Sequence, residues 1–363
     1  MNAARKHLEQ AIAINPDFAE AYYKLGLLLK SETKRPEALE NFRKAVSLNG
    51  DFAEAQCELA IALAADGERE AARNHFLNAL EIQPNYADAY YHYALLLVEL
   101  KDVEEAKNNL EKVTEVDQNY ALAYYQKARL LTNPDDFEDA RKNFETSIDI
   151  DPDFIDAHYY MGKLLTGGVS TAKDCSIVDR TDLALAKENF LQVLEIDPSH
   201  AKALYNLARI LLEEGNLKEA KSRLLKALDI DSKYSKAHYL LGNVLYGLSD
   251  PAKAKEHYAS SIEHYQENPP AYYRLGKLLA EEGDATGAED NLRKAVSLDP
   301  GHSEAHYHLA LLLAELDDPG PAKKHFFMAL EINPEFALAY YHLAHHLERH
   351  GDLNEAKIHF QRA

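Results

Sequence analysis

The sequence predicts an all-α chain, a solenoid of antiparallel helix pairs, and three observations predict it. A small residue recurs as Gly26, Ala60, Ala94, Ala128 and Gly162 in steps of 34, then after one longer step as Ala208, Gly242, Gly276, Ala310 and Ala344. An alanine track keeps the same phase through Ala38, Ala72, Ala106, Ala140, Ala186, Ala220, Ala254, Ala288, Ala322 and Ala356. A bulky track follows it through Phe42, Phe76, Leu110, Phe144, Phe190, Leu224, Tyr258, Leu292, Phe326 and Phe360. Each period holds two apolar segments with helical spacing, too short to be stable alone, so each must bury against a neighbour. The small residues let two helices approach, and the bulky ones fill the groove beside them.

In chain order, the first element is a lone helix of the second kind, Met1 to about Ile14, with Ala4, Leu8, Ala11 and Ile12 on one face. Ten repeats follow, with first helices starting near Ala19, Phe52, Ala87, Ala121, Ile155, Ala201, Ser235, Pro269, Ser303 and Ala337. Glycine closes first helices at Gly67, Gly215, Gly283 and Gly351, where a left-handed residue costs least. Proline follows second helices at Pro16, Pro84, Pro152, Pro198, Pro300 and Pro334 and prevents their continuation. Gly50, Gln118, Ser232 and Gln266 take that place elsewhere. The step from Gly162 to Ala208 is 12 residues longer than the others, and Thr166 to Thr181 carries the extra material, including Cys175. Gly167-Gly168 should close one helix and Asp182 begin the next, which puts the insertion in a surface loop, a place where added length is cheap. A docking or regulatory loop is the functional alternative. The expected organisation is one solenoid over 1–363: a half repeat at 1–18, four repeats at 19–154, a repeat with its insertion near 166–181 at 155–200, and five repeats at 201–363, the last truncated.

Lys and Arg number 40 against 60 Asp and Glu, a formal charge of −20. That balance argues against nonspecific binding to nucleic acid or to anionic membranes, both of which need a basic surface. No apolar run is long enough to span a bilayer, and the first residues lack the continuous apolar core of a signal peptide. Two cysteines, Cys57 and Cys175, far apart in the array, suit a reducing, cytoplasmic compartment as the simplest reading, and a cysteine-poor exported protein would look the same.

The period and the small-then-aromatic pattern resemble the tetratricopeptide repeat over nearly the whole chain. The resemblance implies a right-handed superhelix whose concave face is lined by the first helix of each pair, through its second, fifth, ninth and twelfth residues. The fifth position is almost always tyrosine: Tyr23, Tyr91, Tyr125, Tyr159, Tyr205, Tyr239, Tyr273, Tyr307 and Tyr341, with Cys57 the exception. Tyrosine offers apolar area and a polar tip for peptide recognition, and it serves equally as packing. The ninth position changes along the chain, from Leu27, Ile61 and Leu95 through Arg129, Lys163, Arg209, Asn243 and Lys277 to Leu311. Lys202 and Lys236 join the central cations at the second position. A basic stripe on an acidic chain fits a clamp for carboxylates or phosphates, and the bland alternative is local neutralisation by Asp and Glu. The tyrosines at the fifth positions do not fit the family's chaperone clamp, which needs lysine there.

Other constellations carry less. His342, His346 and His350 are spaced for a metal, yet no HExxH or cysteine companion supports one. Acidic pairs such as Glu213-Glu214 and Glu281-Glu282 fall at helix ends. No phosphate-binding loop or nucleophile elbow occurs, so no enzyme activity, cofactor or metal is expected. The last repeat stops inside its second helix, so Leu8, Ile12, Ala356 and Phe360 are candidates for contact between copies through unpaired faces. Three functions compete: a noncatalytic scaffold holding an extended or helical acidic segment of a partner protein, a solenoid that assembles end to end, and the targeting arm of a larger enzyme.

Overall fold

The computed structural model describes residues 2–167 and 180–363. Among these residues every regular element is helical. A lone helix α1 (Asn2–Ile14) precedes five pairs: α2 (Ala19–Ser31) with α3 (Arg35–Leu48), α4 (Ala53–Ala65) with α5 (Arg69–Ile82), α6 (Ala87–Glu99) with α7 (Val103–Val116), α8 (Ala121–Leu130) with α9 (Phe137–Ile150), and α10 (Ile155–Leu165) with α11 (Arg180–Ile196). Five more follow: α12 (Ala201–Glu213) with α13 (Leu217–Ile230), α14 (Ser235–Gly247) with α15 (Pro251–His264), α16 (Pro269–Glu281) with α17 (Ala285–Leu298), α18 (Ser303–Glu315) with α19 (Pro319–Ile332), and α20 (Ala337–Arg349) with α21 (Leu353–Phe360). The residues form two compact units, Met1–Asn189 and Phe190–Ala363, divided within α11.

Nine of the ten expected starts of a first helix, here called helix A, coincide with the observed ones. The exception is Phe52, which is the N-cap of α4 rather than its first residue. Helix α11 opens at Arg180, ahead of the expected Asp182. Most of the insertion between them, including Cys175, lies outside the described residues.

The small-residue track works as close packing. A methyl group built on Gly26 would stand 2.6 Å from the Phe42 ring, and one on Gly242 would stand 2.5 Å from the Tyr258 ring. A third alanine track, at the third residue of every helix A, is buried throughout, from Ala21 to Ala339. The glycine closures also hold: Gly67, Gly167, Gly215, Gly283 and Gly351 all have φ between 72° and 88°. Thr33, Lys101, Ser249 and Asp317 adopt the same left-handed conformation without being glycine. The geometry demands it, because the amide of Lys34 reaches the Leu29 carbonyl at 2.9 Å as Glu68 reaches Leu63 in the next repeat, satisfying carbonyls at the helix end. At those four sites the turn is held at a cost of about 1 kcal/mol or more each.

Candidate partner-binding surface

The surface in question is the outward face of helix A, set by a backbone that brings residues 2, 5, 9 and 12 to one side at helical spacing. In the first unit the fifth-position rings are largely covered. Tyr91 and Tyr125 are 6% and 5% exposed, and Tyr159 is half-buried. What covers them is a feature the sequence reading missed: the residue just before each helix A is aromatic in most repeats. Tyr23 packs on Phe52 at 4.9 Å between ring centroids, Tyr91 on Tyr120 at 5.2 Å and Tyr125 on Phe154 at 5.0 Å. The second unit repeats this with Tyr205 on Tyr234 at 5.2 Å, Tyr273 on His302 at 4.7 Å and Tyr307 on Phe336 at 4.8 Å. Each pair ties one repeat to the next. The signal was available as a period of 34 through Phe18, Phe52, Tyr86, Tyr120 and Phe154. Phe and Tyr there give up the side-chain cap that Ser or Asp would supply, whereas His302 both stacks and accepts from the Ala305 amide at 3.3 Å. Cys57 stands in the tyrosine position beside Tyr86, and burial pushes its thiol up to about 12.

The cations divide between the units. In the first, the exposed guanidinium of Arg129 lies 5.4 Å from the Tyr125 centroid and 5.0 Å from that of Tyr160. Lys163 Nζ lies 5.2 Å from Tyr160 and 5.9 Å from Tyr159. Ahead of them the same face is acidic at its second positions, Glu20, Glu54 and Asp88, with Leu27, Ile61 and Leu95 half-buried between. That acidic lead-in was not anticipated.

In the second unit, Lys202 and Lys236 are exposed, and Tyr205, Arg209, Tyr239, Asn243 and Lys277 are half-buried. Tyr273 is buried, at 9% exposure. Arg209 Nη1 donates to Asn206 Oδ1 at 3.3 Å. Asn243 is engaged inward, its Oδ1 accepting from the Tyr258 hydroxyl at 2.9 Å. Lys277 Nζ stands 4.0 Å from Glu281, whose carboxylate also accepts from the Tyr246 hydroxyl at 3.1 Å. Arg274, which the sequence reading passed over because it is the sixth residue of its helix, sits 5.7 Å from the Tyr273 centroid. Burial opposes its charge, and the surrounding phenols of Tyr239, Tyr258 and Tyr273 outweigh that, leaving its pKa raised. Among the described residues no carboxylate lies within 4.0 Å of Lys202, Arg209, Lys236 or Arg274.

The remaining candidates are scattered. Leu8 and Ile12 are partly buried against the first unit's core. Ala356 is buried in another cluster, while Phe360 is 37% exposed beside Tyr341 and His345. Of the spaced histidines, His346 Nε2 meets the Pro319 carbonyl at 3.1 Å and His350 Nδ1 meets that of His346 at 2.8 Å. Among the described residues no three His, Cys, Asp or Glu side chains are placed to share a metal, and no helix is long and apolar enough to cross a membrane.

Models of the tetratricopeptide repeat match residues 19–52, 63–130, 121–154, 178–244 and 239–303, and a further TPR repeat model matches 1–31. The chain is a tetratricopeptide repeat protein. Its fold is that of a protein-interaction scaffold. A solved structure of Pseudomonas aeruginosa pilF is similar over 62% of this chain and 96% of its own, at 22% identity and a TM-score of 0.53, and supports the repeat fold alone. Other tetratricopeptide repeat structures include YrrB, described as having an unusual peptide-binding site, at 25% identity, TM-score 0.43, and 54% and 95% coverage. MamA matches at 24% identity, TM-score 0.40, and 44% and 93% coverage. No curated protein matches the sequence.

Proposed function

We propose that the protein is a noncatalytic scaffold holding an acidic segment of a partner protein, extended or helical, on its helix-A face. The observation that carries this reading is the charge of α12, α14 and α16. These helices hold five cations, Lys202, Arg209, Lys236, Arg274 and Lys277, against two carboxylates, Glu213 and Glu281, each at a helix's last residue. On a chain of formal charge −20 such a surface gains little from its own carboxylates and most from an incoming anion. The Tyr273 ring beside Arg274 and the Asn206 amide bonded to Arg209 hold the guanidinium groups in place, so less freedom is lost when an anion docks. Arg129 and Lys163 in the first unit, each over tyrosine rings, offer a second point of the same chemistry.

The test is a peptide array of glutamate-rich, phosphoserine, neutral and lysine-rich decamers, probed with the whole chain. Retention should favour the acidic and phosphorylated peptides. Reversal of Arg129, Lys163, Arg209 and Lys277 to Glu should abolish it while leaving the helical circular dichroism intact. Equal retention by both proteins would refute the reading.

A second reading is contact between copies, favoured by the exposed Leu338, Tyr341, Ile358 and Phe360 on α20 and α21. Light scattering across a concentration series separates the two, since a mass that stays near 41 kDa removes it.

A further inference from the structure

The fourth residue of helix A forms a recurring polar tie. Gln56 Nε2 donates to the Gly50 carbonyl at 2.8 Å, fastening the preceding turn, and its Oε1 meets His75 Nδ1 on α5 at 2.6 Å. His238 Nε2 meets the Ser232 carbonyl at 3.0 Å and its Nδ1 meets His257 Nδ1 on α15 at 3.0 Å. His306 Nε2 meets the Pro300 carbonyl at 3.2 Å and its Nδ1 meets His325 Nδ1 on α19 at 2.9 Å.

Opposite a histidine, as at Gln56, the position needs a donor toward the turn and an acceptor toward the second helix. Opposite Asn189, by contrast, His158 meets oxygen on both sides, the Pro152 carbonyl at 3.0 Å and Asn189 Oδ1 at 2.9 Å. A histidine meets both needs only when neutral, with Nε2–H donating to the carbonyl and Nδ1 bare. The facing ring must then donate through its own Nδ1–H. A first proton can be added at the far Nε2 of His257 or His325 without disturbing the bond. A second has only the bare Nδ1 of His238 or His306 to occupy, which sets N–H against N–H across 3.0 Å or 2.9 Å. Glutamine cannot be protonated in this way.

We propose that the α14–α15 and α18–α19 pairs are acid-released fastenings: two protons on His238–His257, or on His306–His325, turn the tie into repulsion and loosen both helices and the turn before them. The surroundings favour this outcome. His264 lies 5.6 Å from His238 between centroids. Around His257, burial and His238 oppose a charge, Glu256 favours it, and Lys221 opposes it less strongly than Glu256 favours it. Asp299 and His302 face His306, while Arg293 and Lys324 face His325. Burial, joined by His238 at His257 and by His302 at His306, pushes those two down against the pull of Glu256 and Asp299, and burial with His306, Arg293 and Lys324 pushes His325 down to about 4. Helix α14 also carries Lys236 and Tyr239, so release would reach the cationic surface, but the inference does not depend on what that surface binds.

The experiment is hydrogen exchange by mass spectrometry on the whole chain at pH 7.5 and 5.0, in EDTA, with rates corrected for intrinsic pH dependence. The variant is His238→Gln with His306→Gln, copying the arrangement at Gln56. Wild type should lose about ten-fold protection in α14–α15 and α18–α19 relative to α4–α5, as one unit of differential proton affinity would give. The variant should lose clearly less protection than wild type in both pairs, the remainder reflecting the burial of His257 and His325. His238→Gln alone should rescue α14–α15 and leave α18–α19 acid-sensitive, a comparison inside one molecule should the double variant fold poorly. Equal acid loss in wild type and variant, or loss spread evenly over α4–α5 as well, would overturn the proposal.

Discussion

Tyr125 separates packing from recognition. Its ring is 5% exposed and stacks on Phe154 at 5.0 Å. An aromatic side chain buries about 150–250 Å², so at about 25 cal/mol per Å² its burial is worth roughly 4–6 kcal/mol. Truncating a large buried aromatic ring to alanine costs about 3–5 kcal/mol in measured series, and Tyr125→Ala should fall in the middle of that range. Tyr341, at the same place in its repeat, is 45% exposed; it buries about half as much, and its alanine variant should cost about 2 kcal/mol. Tyr125→Phe keeps the ring, the stack and the seat for Arg129, and should stay within about 1 kcal/mol of wild type. Urea unfolding followed by circular dichroism gives the global effect. Hydrogen exchange in α8 and α9 gives the local one, which is needed because repeats can unfold separately. The reasoning fails if Tyr125→Ala unfolds within 1 kcal/mol of wild type while retention of acidic peptides collapses, for then the ring serves the ligand rather than the array.

Thr33→Gly should stabilise the chain by about 1 kcal/mol, since a β-branched residue is held there at φ 61°, and thermal unfolding reads this directly. Gly242→Ala should destabilise by about 1–2 kcal/mol, because the Tyr258 ring it strikes is tethered to Asn243. Gly26→Ala should be milder, since Phe42 has no such tether and other repeats carry alanine at that place. Stability should fall with pH through the histidines. The unfolded chain takes up the His325 proton from about 6.5 downward, whereas burial withholds it in the fold until about 4. Across that window wild type should lose about 1–2 kcal/mol more than His325→Asn, the ring's partial exposure reducing the full linkage value, as melting temperature against pH will show.

Much of the fold was legible because its determinants are periodic. The alanine and bulky tracks located helix starts to the residue, with Phe52 displaced by one because an N-cap shares the apolar pattern of the helix it precedes. Left-handed closures at Thr33, Lys101, Ser249 and Asp317 were not legible, since the backbone bond that closes each helix end overrides the residue's own preference and leaves no glycine to mark it. The candidate surface was harder to see. Spacing located Lys202, Arg209, Lys236 and Lys277, but the family's groove positions exclude the sixth residue, so Arg274 escaped. The fifth-position tyrosines looked equally suited to ligand and core until the aromatic residue ahead of each following helix showed what most of them touch. The histidine ties were invisible for another reason: His238 and His257 lie on different helices, and only the fold sets their nitrogens face to face.

The central claim is that an acidic segment binds the cationic helix-A face. Its most direct test is fluorescence anisotropy of a labelled decaglutamate peptide titrated with the whole chain, wild type against Lys202→Glu/Arg209→Glu/Lys236→Glu/Arg274→Glu, at low and high salt. The account predicts saturable binding to wild type despite the chain's net negative charge, weakened by salt and lost in the variant. Anisotropy curves that coincide for the two proteins would contradict it.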